Sequence, residues 1–462
     1  MIRFLNAYFP TRTLFLGISE AFLVALAFVA ATVARLGTSD ATVMLNYEQG
    51  FLKILVVASV FIICMYYFDL YDSLVLSNRR EVLTRLVQVL GTVCILLALL
   101  YYAFPKLQLG RGIFLIGFFL VALFVFLWRR LFLLVNTMPR FAERALILGD
   151  GPLAKPLVEE IESRSELGVR IVGQLRHLEN SKDVPLSEAE QFDQLSRQIE
   201  AYRASRVIIA MGERRGRLPV EALLRLKSRG VRIQDGAEVF EAITGKVPIE
   251  SLRLSWLLFS TGFHVSRPLL VYKRAFSFLI SSVCFLITTP IMALVFIAIR
   301  LDSPGPAIFR QERVGEGGKP FTLFKFRTMV DGAGRENNHR PAEKTDDRFT
   351  RVGKLLRRTR LDELPQLANI LRGDMYFVGP RPFVPDQEQE CLEKIPYYRQ
   401  RWAVKPGATG WAQINRGYCV TIDDNTEKLA FDLFYIKNIS LGLDLLIMFQ
   451  TIKILLLGRG SR

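Results

Sequence analysis

The sequence predicts a membrane protein in three parts: an α-helical bundle of four spans, a cytoplasmic α/β Rossmann-like domain, and a last domain that carries a re-entrant membrane helix. Three observations predict it. The 462 residues are 51% hydrophobic, and the apolar ones gather in long uninterrupted runs, as in membrane segments rather than soluble cores. Between residues 144 and 251 the runs give way to short apolar strands alternating with polar, helix-like stretches. A further long run, Ala275 to Leu301, is basic at both ends. A chain of this length exceeds what one core supports. The expected boundaries are 1–138 for the bundle, 139–252 for the Rossmann-like domain, 253–270 for a linker or amphipathic segment, and 271–462 for the last domain, with its re-entrant helix at about 275–300.

Four apolar stretches, about Thr13 to Ala34, Phe51 to Phe68, Leu86 to Phe104 and Gly112 to Trp128, are each long enough to cross a hydrocarbon layer of ~30 Å as a helix. The first follows Arg3 and Arg12 and has no small-residue cleavage site, so it reads as a retained anchor. Arg79, Arg80 and Arg85 follow the second span, and Arg129, Arg130, Arg140 and Arg144 follow the fourth. The other two loops hold only Arg35, Lys106 and Arg111, so the positive-inside tendency puts both ends of the bundle in the cytoplasm. Glu20 lies inside the first span, where a charge is costly; an inward-facing, paired Glu is expected, with a functional role as the alternative.

Strands are expected at Ala145 to Leu148, Val169 to Gly173, Arg206 to Ala210 and Val231 to Gln234, a small parallel α/β unit. The first runs into Gly149-Asp150-Gly151-Pro152-Leu153-Ala154, a G-x-G-x-x-A turn of the dinucleotide-binding type. A nucleotide site would need an acidic residue closing the second strand, and that strand leads instead into Gln174-Leu175-Arg176-His177. A Tyr-x-x-x-Lys pair occurs only at Tyr102 and Lys106, outside this domain. A structural, assembly or regulatory use of the fold is expected.

The fifth run follows Lys273-Arg274, ends at Arg300, and is interrupted by Pro290. Basic flanks on both sides satisfy no transmembrane orientation, so two half-helices returning to one face fit better than a kinked span. The hydroxyls of Thr288 and Thr289 could meet the backbone gap at the proline. The last run, Ser440 to Leu457, includes Asp444 and Lys453 and reads as an interfacial helix.

Lys and Arg number 60 against 44 Asp and Glu, a net charge of +16 that suits anionic headgroups and phosphorylated substrates. No basic stripe with interleaved aromatics points to nucleic acid. Cysteines at 64, 94, 284, 391 and 419 form no C-x-x-C pair, and His177, His264 and His339 lack ligand spacing, so chemistry rests on carboxylates, lysines and arginines. Glycines 315, 317 and 318 precede Lys325-Phe326-Arg327-Thr328-Met329, which reads as an anion cradle or as an ordinary hairpin with a basic face. Five cations between Arg351 and Arg360 lead into Leu361-Asp362-Glu363-Leu364-Pro365-Gln366. Pro365 belongs in the first turn of a helix ending at Gly373, which would set Asp362 and Glu363 at its positive end. The pair suits a nucleophile beside a metal ligand, or a simple cap. Two rigid turns follow, Val378-Gly379-Pro380-Arg381-Pro382 and Lys405-Pro406-Gly407-Ala408-Thr409-Gly410-Trp411-Ala412-Gln413, each presenting a cation suited to phosphate.

These four motifs, in this order, resemble the bacterial sugar transferases known as monotopic phosphoglycosyl transferases, over about Leu270 to Gly458. With the four spans and the Rossmann-like domain, the chain resembles the large polyprenyl-phosphate hexose-1-phosphate transferases, and most of all the members linked to exosortase-associated exopolysaccharide synthesis. The resemblance implies an α/β monotopic catalytic domain in which Asp362 attacks the β-phosphate of a UDP-sugar, releasing UMP. Undecaprenyl phosphate then takes the sugar phosphate from the aspartyl intermediate. It implies Glu363 as ligand to Mg²⁺ or Mn²⁺; Lys325, Arg327, Arg381, Lys405 and Gln413 around the phosphates; and Lys273, Arg274, Thr289 and Pro290 near the lipid phosphate at the interface. Thr289-Pro290 stands where the family breaks its helix at Ser-Pro. Ser277 stands where the family often has an Asp after Lys-Arg, removing an expected partner for the arginine. Expected partners are the UDP-sugar, the polyprenyl phosphate, a second copy of the chain and polysaccharide-assembly proteins, with no nucleic acid; the expected place is the bacterial inner membrane with the catalytic domain on its cytoplasmic face. The sugar, the ligand of the Rossmann-like domain, the oligomeric state and the role of Glu20 are not legible. An oxidoreductase or dehydratase acting on nucleotide sugars, and a non-catalytic assembly scaffold, are the competing classes.

Overall fold

The computed structural model describes residues 1–4, 6–72, 75, 79–138, 142–164, 167–176, 187–212, 217–251, 263, 266–332, 348–416 and 421–457. His177, His264, His339, Cys419 and most of the expected linker lie outside the described residues. The chain divides into two compact units, residues 1–2 with 8–236 and residues 3–7 with 237–462.

The first unit opens with four helices, α1 (Thr11–Tyr47), α2 (Gly50–Tyr67), α3 (Arg79–Ala103) and α4 (Arg111–Thr137), all long and apolar enough to cross a membrane. α1 outruns the expected span because Gly37, at φ 81° and ψ 171°, turns it and a second helical stretch follows. Its Thr38-Ser39-Asp40 sequence carries no apolar signal. The bundle closes on Phe28, Phe61, Val89, Val93 and Val125, all buried, while residues such as Phe22, Leu55, Leu99 and Phe119 face outward, as lipid contact requires.

A buried charge pair interrupts this core. Glu20 is fully buried and faces Arg129 of α4, with Nε 2.6 Å from Oε1 and Nη2 donating to Oε2 at 2.8 Å. The same guanidinium donates to the Leu70 carbonyl at 2.6 Å and lies 5.4 Å from the centre of the Tyr71 ring. Glu20 is thus the paired, inward-facing residue expected. Arg129, expected among the cytoplasmic loop cations, is instead 1% exposed within the bundle, because an ion-paired carboxylate and a carbonyl replace its water.

Strands β1 (Glu143–Leu148), β2 (Val169–Leu175), β3 (Arg206–Ile209) and β4 (Arg232–Asp235) form one parallel sheet in the order β2-β1-β3-β4, with α5 (Ala154–Ser163), α6 (Glu188–Tyr202) and α7 (Val220–Ser228) as its helices. Residues 145–148 of β1 are all buried, the continuous apolar run of a central parallel strand. The glycine-rich turn after β1 packs against the protein itself. Gly151 donates to the Ala210 carbonyl at 3.0 Å, a Cβ there would lie 2.4 Å from the Gly212 nitrogen, and Gln174 donates to the Gly149 carbonyl at 2.9 Å.

The second unit begins earlier than the expected boundary at 252. Helix α8 (Gly236–Thr244) leads into it: Glu241 accepts from Lys437 at 2.8 and 3.0 Å, and the Gly245 carbonyl accepts from the Trp411 indole at 2.9 Å. Helix α9 (Arg267–Asp302) is a single helix with Pro290 inside it, where two half-helices were expected. Lys273, Ser277, Ser281, Val295 and Ile299 mark one buried stripe along it, and Val271, Phe278, Leu286, Leu294 and Leu301 make a broad exposed apolar face. The hydroxyls of Thr288 and Thr289 bond the Cys284 and Phe285 carbonyls, one turn back, and not the Leu286 carbonyl that faces the missing proline N–H. Both ends of α9 pack on the same α/β body. Near its start Arg274 caps the carbonyls of Ile370 and Leu371, and at its end Asp302 accepts from the Val352 amide at 3.0 Å.

Replacing Arg129 by Met should lower stability by about 3–5 kcal/mol, because Glu20 would remain buried and unpaired, whereas Glu20→Leu with Arg129→Met should recover most of that loss. Thermal unfolding of the purified full chain in detergent measures both; equal melting of the single and double variants would refute the pairing.

Candidate active site

Three segments converge in the second unit. The hairpin β5 (Ile308–Val314) and β6 (Pro320–Phe326) is antiparallel, with Arg310 opposite Phe324. Helix α10 (Arg351–Thr359), N-capped by Thr350, ends at Arg360 in the left-handed conformation (φ 57°), which throws the chain into a 3₁₀ turn, Leu361–Glu363. Helix α11 (Gln366–Arg372) follows, capped by Gly373 at φ 95°. The helix ends where expected, but Asp362 and Glu363 occupy the separate turn ahead of it. Side-chain cations hold Glu363 ionised.

Asn369 of α11, fully buried, joins this turn to the hairpin. Its amide oxygen accepts from the Phe324 N–H at 3.0 Å and its nitrogen donates to the Thr322 carbonyl at 2.7 Å, completing the edge of β6 as a neighbouring strand would. The strand therefore presents Lys325 beside Glu363, with Nζ 3.3 Å from Oε1. From the other side Arg381 reaches the same Oε1 at 2.7 Å.

Arg381 rides on two loops packed backbone to backbone. Strands β7 (Tyr376–Val378) and β8 (Gly407–Thr409) pair in parallel, Gly379 donates to the Thr409 carbonyl at 2.8 Å, and Gly407 donates to the Pro380 carbonyl at 2.9 Å. A Cβ on Gly407 would lie 2.0 Å from the Gly379 nitrogen, so this approach admits only glycine. The motifs read separately in sequence are one structural piece.

The two carboxylates have opposite electrostatic settings. Burial works to raise the Glu363 carboxyl, but Arg381 and Lys325 outweigh it and hold the group far below the ordinary carboxylate range. Burial and the neighbouring Glu363 charge push the Asp362 carboxyl up, against the weaker pull of Lys325, Arg357 and Arg381. Burial, only partly offset by Glu363, lowers Lys325. Asp362 makes no ion pair among the described residues. Both ion pairs of Glu363 fall on Oε1. Hard carboxylate oxygens from two adjacent residues match what Mg²⁺ takes when substrate phosphates and water complete its shell. Among the described residues no third His, Cys, Asp or Glu groups with them.

The other expected site residues are placed differently. Arg327 is buried and spends its guanidinium on the turn after α9, donating to the carbonyls of Ser303 at 2.8 Å and Pro304 at 2.6 Å. Lys405 donates to the Gly373 carbonyl at 2.7 Å, and Gln413 to the Ala408 carbonyl at 3.2 Å. Lys273, expected at the interface, is 1% exposed; its ammonium meets Asp444 at 2.6 Å, the Val378 carbonyl at 2.8 Å and the Tyr435 hydroxyl. Asp444 lies on α15 (Leu441–Leu456), the last described helix, so its place in the apolar run is explained by this bond. Arg274 has helix-end carbonyls in place of the missing Asp, and Ser277, at that Asp position, accepts from the Phe377 N–H at 3.2 Å. Thr289 and Pro290 are exposed on α9. Sequence reasoning missed Asn369 and the buried Arg401, which carry no motif of their own.

A family model described as "Bacterial sugar transferase" matches residues 269–458, and one described as "CoA-binding domain" matches residues 66–234. The chain is similar to the UDP-N-acetylgalactosamine-undecaprenyl-phosphate N-acetylgalactosaminephosphotransferase of Aeromonas hydrophila, 40% identical over 49% of this chain and 52% of the relative. It is similar to the undecaprenyl-phosphate glucose phosphotransferase of Komagataeibacter xylinus, 36% identical over 70% of this chain and 60% of the relative. With the UDP-glucose:undecaprenyl-phosphate glucose-1-phosphate transferase of Caulobacter vibrioides it shares 42% identity over 40% of this chain and 69% of the relative. The chain thus spans about half to two thirds of the length of these relatives.

The opposed settings of the pair predict opposite stability effects. Asp362, raised in the folded state, destabilises once ionised; Asp362→Asn should therefore raise the melting temperature at pH 7, with the gain vanishing as pH falls to about 4, the ordinary Asp range. Glu363, depressed, stabilises above the ordinary Glu range; Glu363→Gln should lower the melting temperature at pH 7, with the deficit shrinking below pH of about 4. Melting curves across pH in EDTA check both, and shifts of the same sign would contradict the assignment.

Proposed function

The chain belongs to the bacterial sugar transferase family, and from that premise we propose that it transfers a hexose-1-phosphate from a UDP-sugar to undecaprenyl phosphate and releases UMP, the first step in building an exopolysaccharide repeat unit. The observation that carries this reading is the Asp362-Glu363 pair: one carboxylate gripped by two cations, its neighbour without an ion pair among the described residues and raised in basicity.

In this mechanism an Asp362 oxygen attacks the β-phosphorus of the UDP-sugar. The new Asp–phosphorus bond forms as the bond from that phosphorus to the bridging oxygen breaks, and UMP leaves with the electron pair. A phosphate oxygen of the lipid then attacks the same phosphorus and frees the Asp362 carboxylate, so the protein returns to its starting state. A raised pKa accompanies greater nucleophilicity in the ionised form, which suits Asp362 to attack. Glu363, ionised throughout, keeps Lys325 and Arg381 charged and aimed at the phosphates, where they offset charge developing on the leaving UMP. Glu363 would hold Mg²⁺ or Mn²⁺, whose contribution is to neutralise diphosphate charge and orient the leaving group.

Lipid access is supported by α9, whose exposed apolar face suits hydrocarbon while both its ends pack on one α/β body. We take α9 as a re-entrant element bent at Pro290 and the catalytic unit as cytoplasmic, in the bacterial inner membrane, where UDP-sugars are available. The relatives named above act on different sugars, so glucose, galactose and their N-acetyl forms are all carried as donor candidates.

Purified Asp362→Asn protein should release no UMP from any UDP-sugar in a panel, and near-normal turnover would sink the nucleophile assignment. Arg381→Ala should retain binding of the lipid acceptor but lose about 10²–10³-fold in kcat, measured by UMP release. For topology, a single cysteine at Lys319 in a cysteine-free background should react with a membrane-impermeant maleimide only after cells are opened; labelling of intact spheroplasts would reject the cytoplasmic assignment.

A further inference from the structure

We propose that Arg401 is a positioning residue for this transfer: it fixes the main chain at Arg381 and so sets where the Arg381 guanidinium stands. The inference rests on the reading of Arg381 as a phosphate-binding group. Arg381 lies between Pro380 and Pro382, which have no N–H, so this segment is held mainly by bonds to its carbonyls. Each carbonyl from 380 to 383 accepts one: Pro380 from Gly407 N at 2.9 Å, Arg381 from Nη2 of Arg401, Pro382 from Nη1 of Arg313 at 3.2 Å, and Phe383 from Val314 N at 3.1 Å.

Arg401 is itself immobilised. It is 4% exposed, donates from Nε to Asp432 at 2.7 Å and from Nη1 to Glu388 at 3.1 Å and to the Tyr398 hydroxyl at 3.1 Å, and lies 4.3 Å from the centre of the Phe383 ring. Asp432 comes from α14 (Ile422–Lys437) and Glu388 from α12 (Pro385–Lys394), so two helices aim one guanidinium at one carbonyl. Two buried acids on one guanidinium exceed what neutralising its charge requires. What they add is direction, since a planar fork bound on two edges has one orientation. A lysine here supplies charge but not that geometry.

The experiment is a double-mutant cycle on the full-length protein in nanodiscs, with kcat expressed per active site from the burst of UMP. Arg401→Lys should change KM and kcat in the same proportions as Arg381→Lys, costing about 10- to 100-fold in kcat/KM, and should add less than about twofold in the Arg381→Lys background. Effects that multiply, or a fall in burst amplitude with KM and kcat per site unchanged, would overturn the proposal, since the latter is what a fold defect alone produces. Where Arg401→Lys does not fold, Asp432→Asn removes one of its acceptors and enters the same cycle. Should wild-type protein release no UMP, the functional reading fails separately, and amide exchange decides the positioning: faster exchange confined to residues 379–383 in either variant supports it, and unchanged exchange there overturns it.

Discussion

The second unit is organised around one atom, Oε1 of Glu363, which takes an ammonium at 3.3 Å and a guanidinium at 2.7 Å. Burying a carboxylate costs several kcal/mol unless cations and hydrogen bonds replace its water, so both cations must arrive already placed. Lys325 arrives on a strand whose open edge is closed by Asn369, and Arg381 on a proline-flanked turn pressed against a second glycine loop. Misplacing either leaves Glu363 in need of a proton and loosens the turn that holds Asp362.

The long apolar helix α9 is tied to the same centre. Lys273 spends its charge on the carbonyl of Val378, the residue just before the Gly379-Pro380-Arg381-Pro382 turn, and on Asp444 of the last described helix. Arg274, one residue on, caps α11, the helix that follows the carboxylate turn. Adjacent cations at one end of α9 therefore brace the two halves of the site, which gives the Lys-Arg pair a structural meaning distinct from contact with lipid phosphate. It also explains how Ser277 can stand where an acid was expected: the arginine is satisfied by helix-end carbonyls, and the serine hydroxyl takes up the Phe377 amide.

Much of this was legible in the sequence because it depends on local rules. Apolar runs marked the long helices, a β-branched and aliphatic pattern marked the four parallel strands to within two residues, and glycine and proline marked the turns that carry Arg381 and Lys405. What was not legible depends on pairing across the chain. Arg327 and Lys405 are as cationic as Lys325 and Arg381, yet their donors go to backbone carbonyls; spacing carries no information about which carbonyl lies nearby. Arg129 reads as a loop cation until Glu20, 109 positions away, is brought against it. Asn369 and Arg401 act through single amide or guanidinium geometries that no motif records.

Spacing does not tell which of the two adjacent carboxylates would attack, but their electrostatic settings differ in the direction the proposed mechanism needs. A nucleophile must keep a lone pair available and basic, whereas a group that anchors cations is worth more the more firmly it stays ionised. Glu363 lies at the second extreme and Asp362 toward the first, although they are neighbours in one 3₁₀ turn. The asymmetry is self-reinforcing: the charge on Glu363, fixed by Lys325 and Arg381, is itself one of the causes that raises Asp362. A diphosphate entering beside these cations would compete with Glu363 for them, weakening the restraint on that side chain as the donor binds. In the proposed transfer, cation sharing of this kind would let one carboxylate serve as placeholder for the phosphates while its neighbour stays basic enough to attack them.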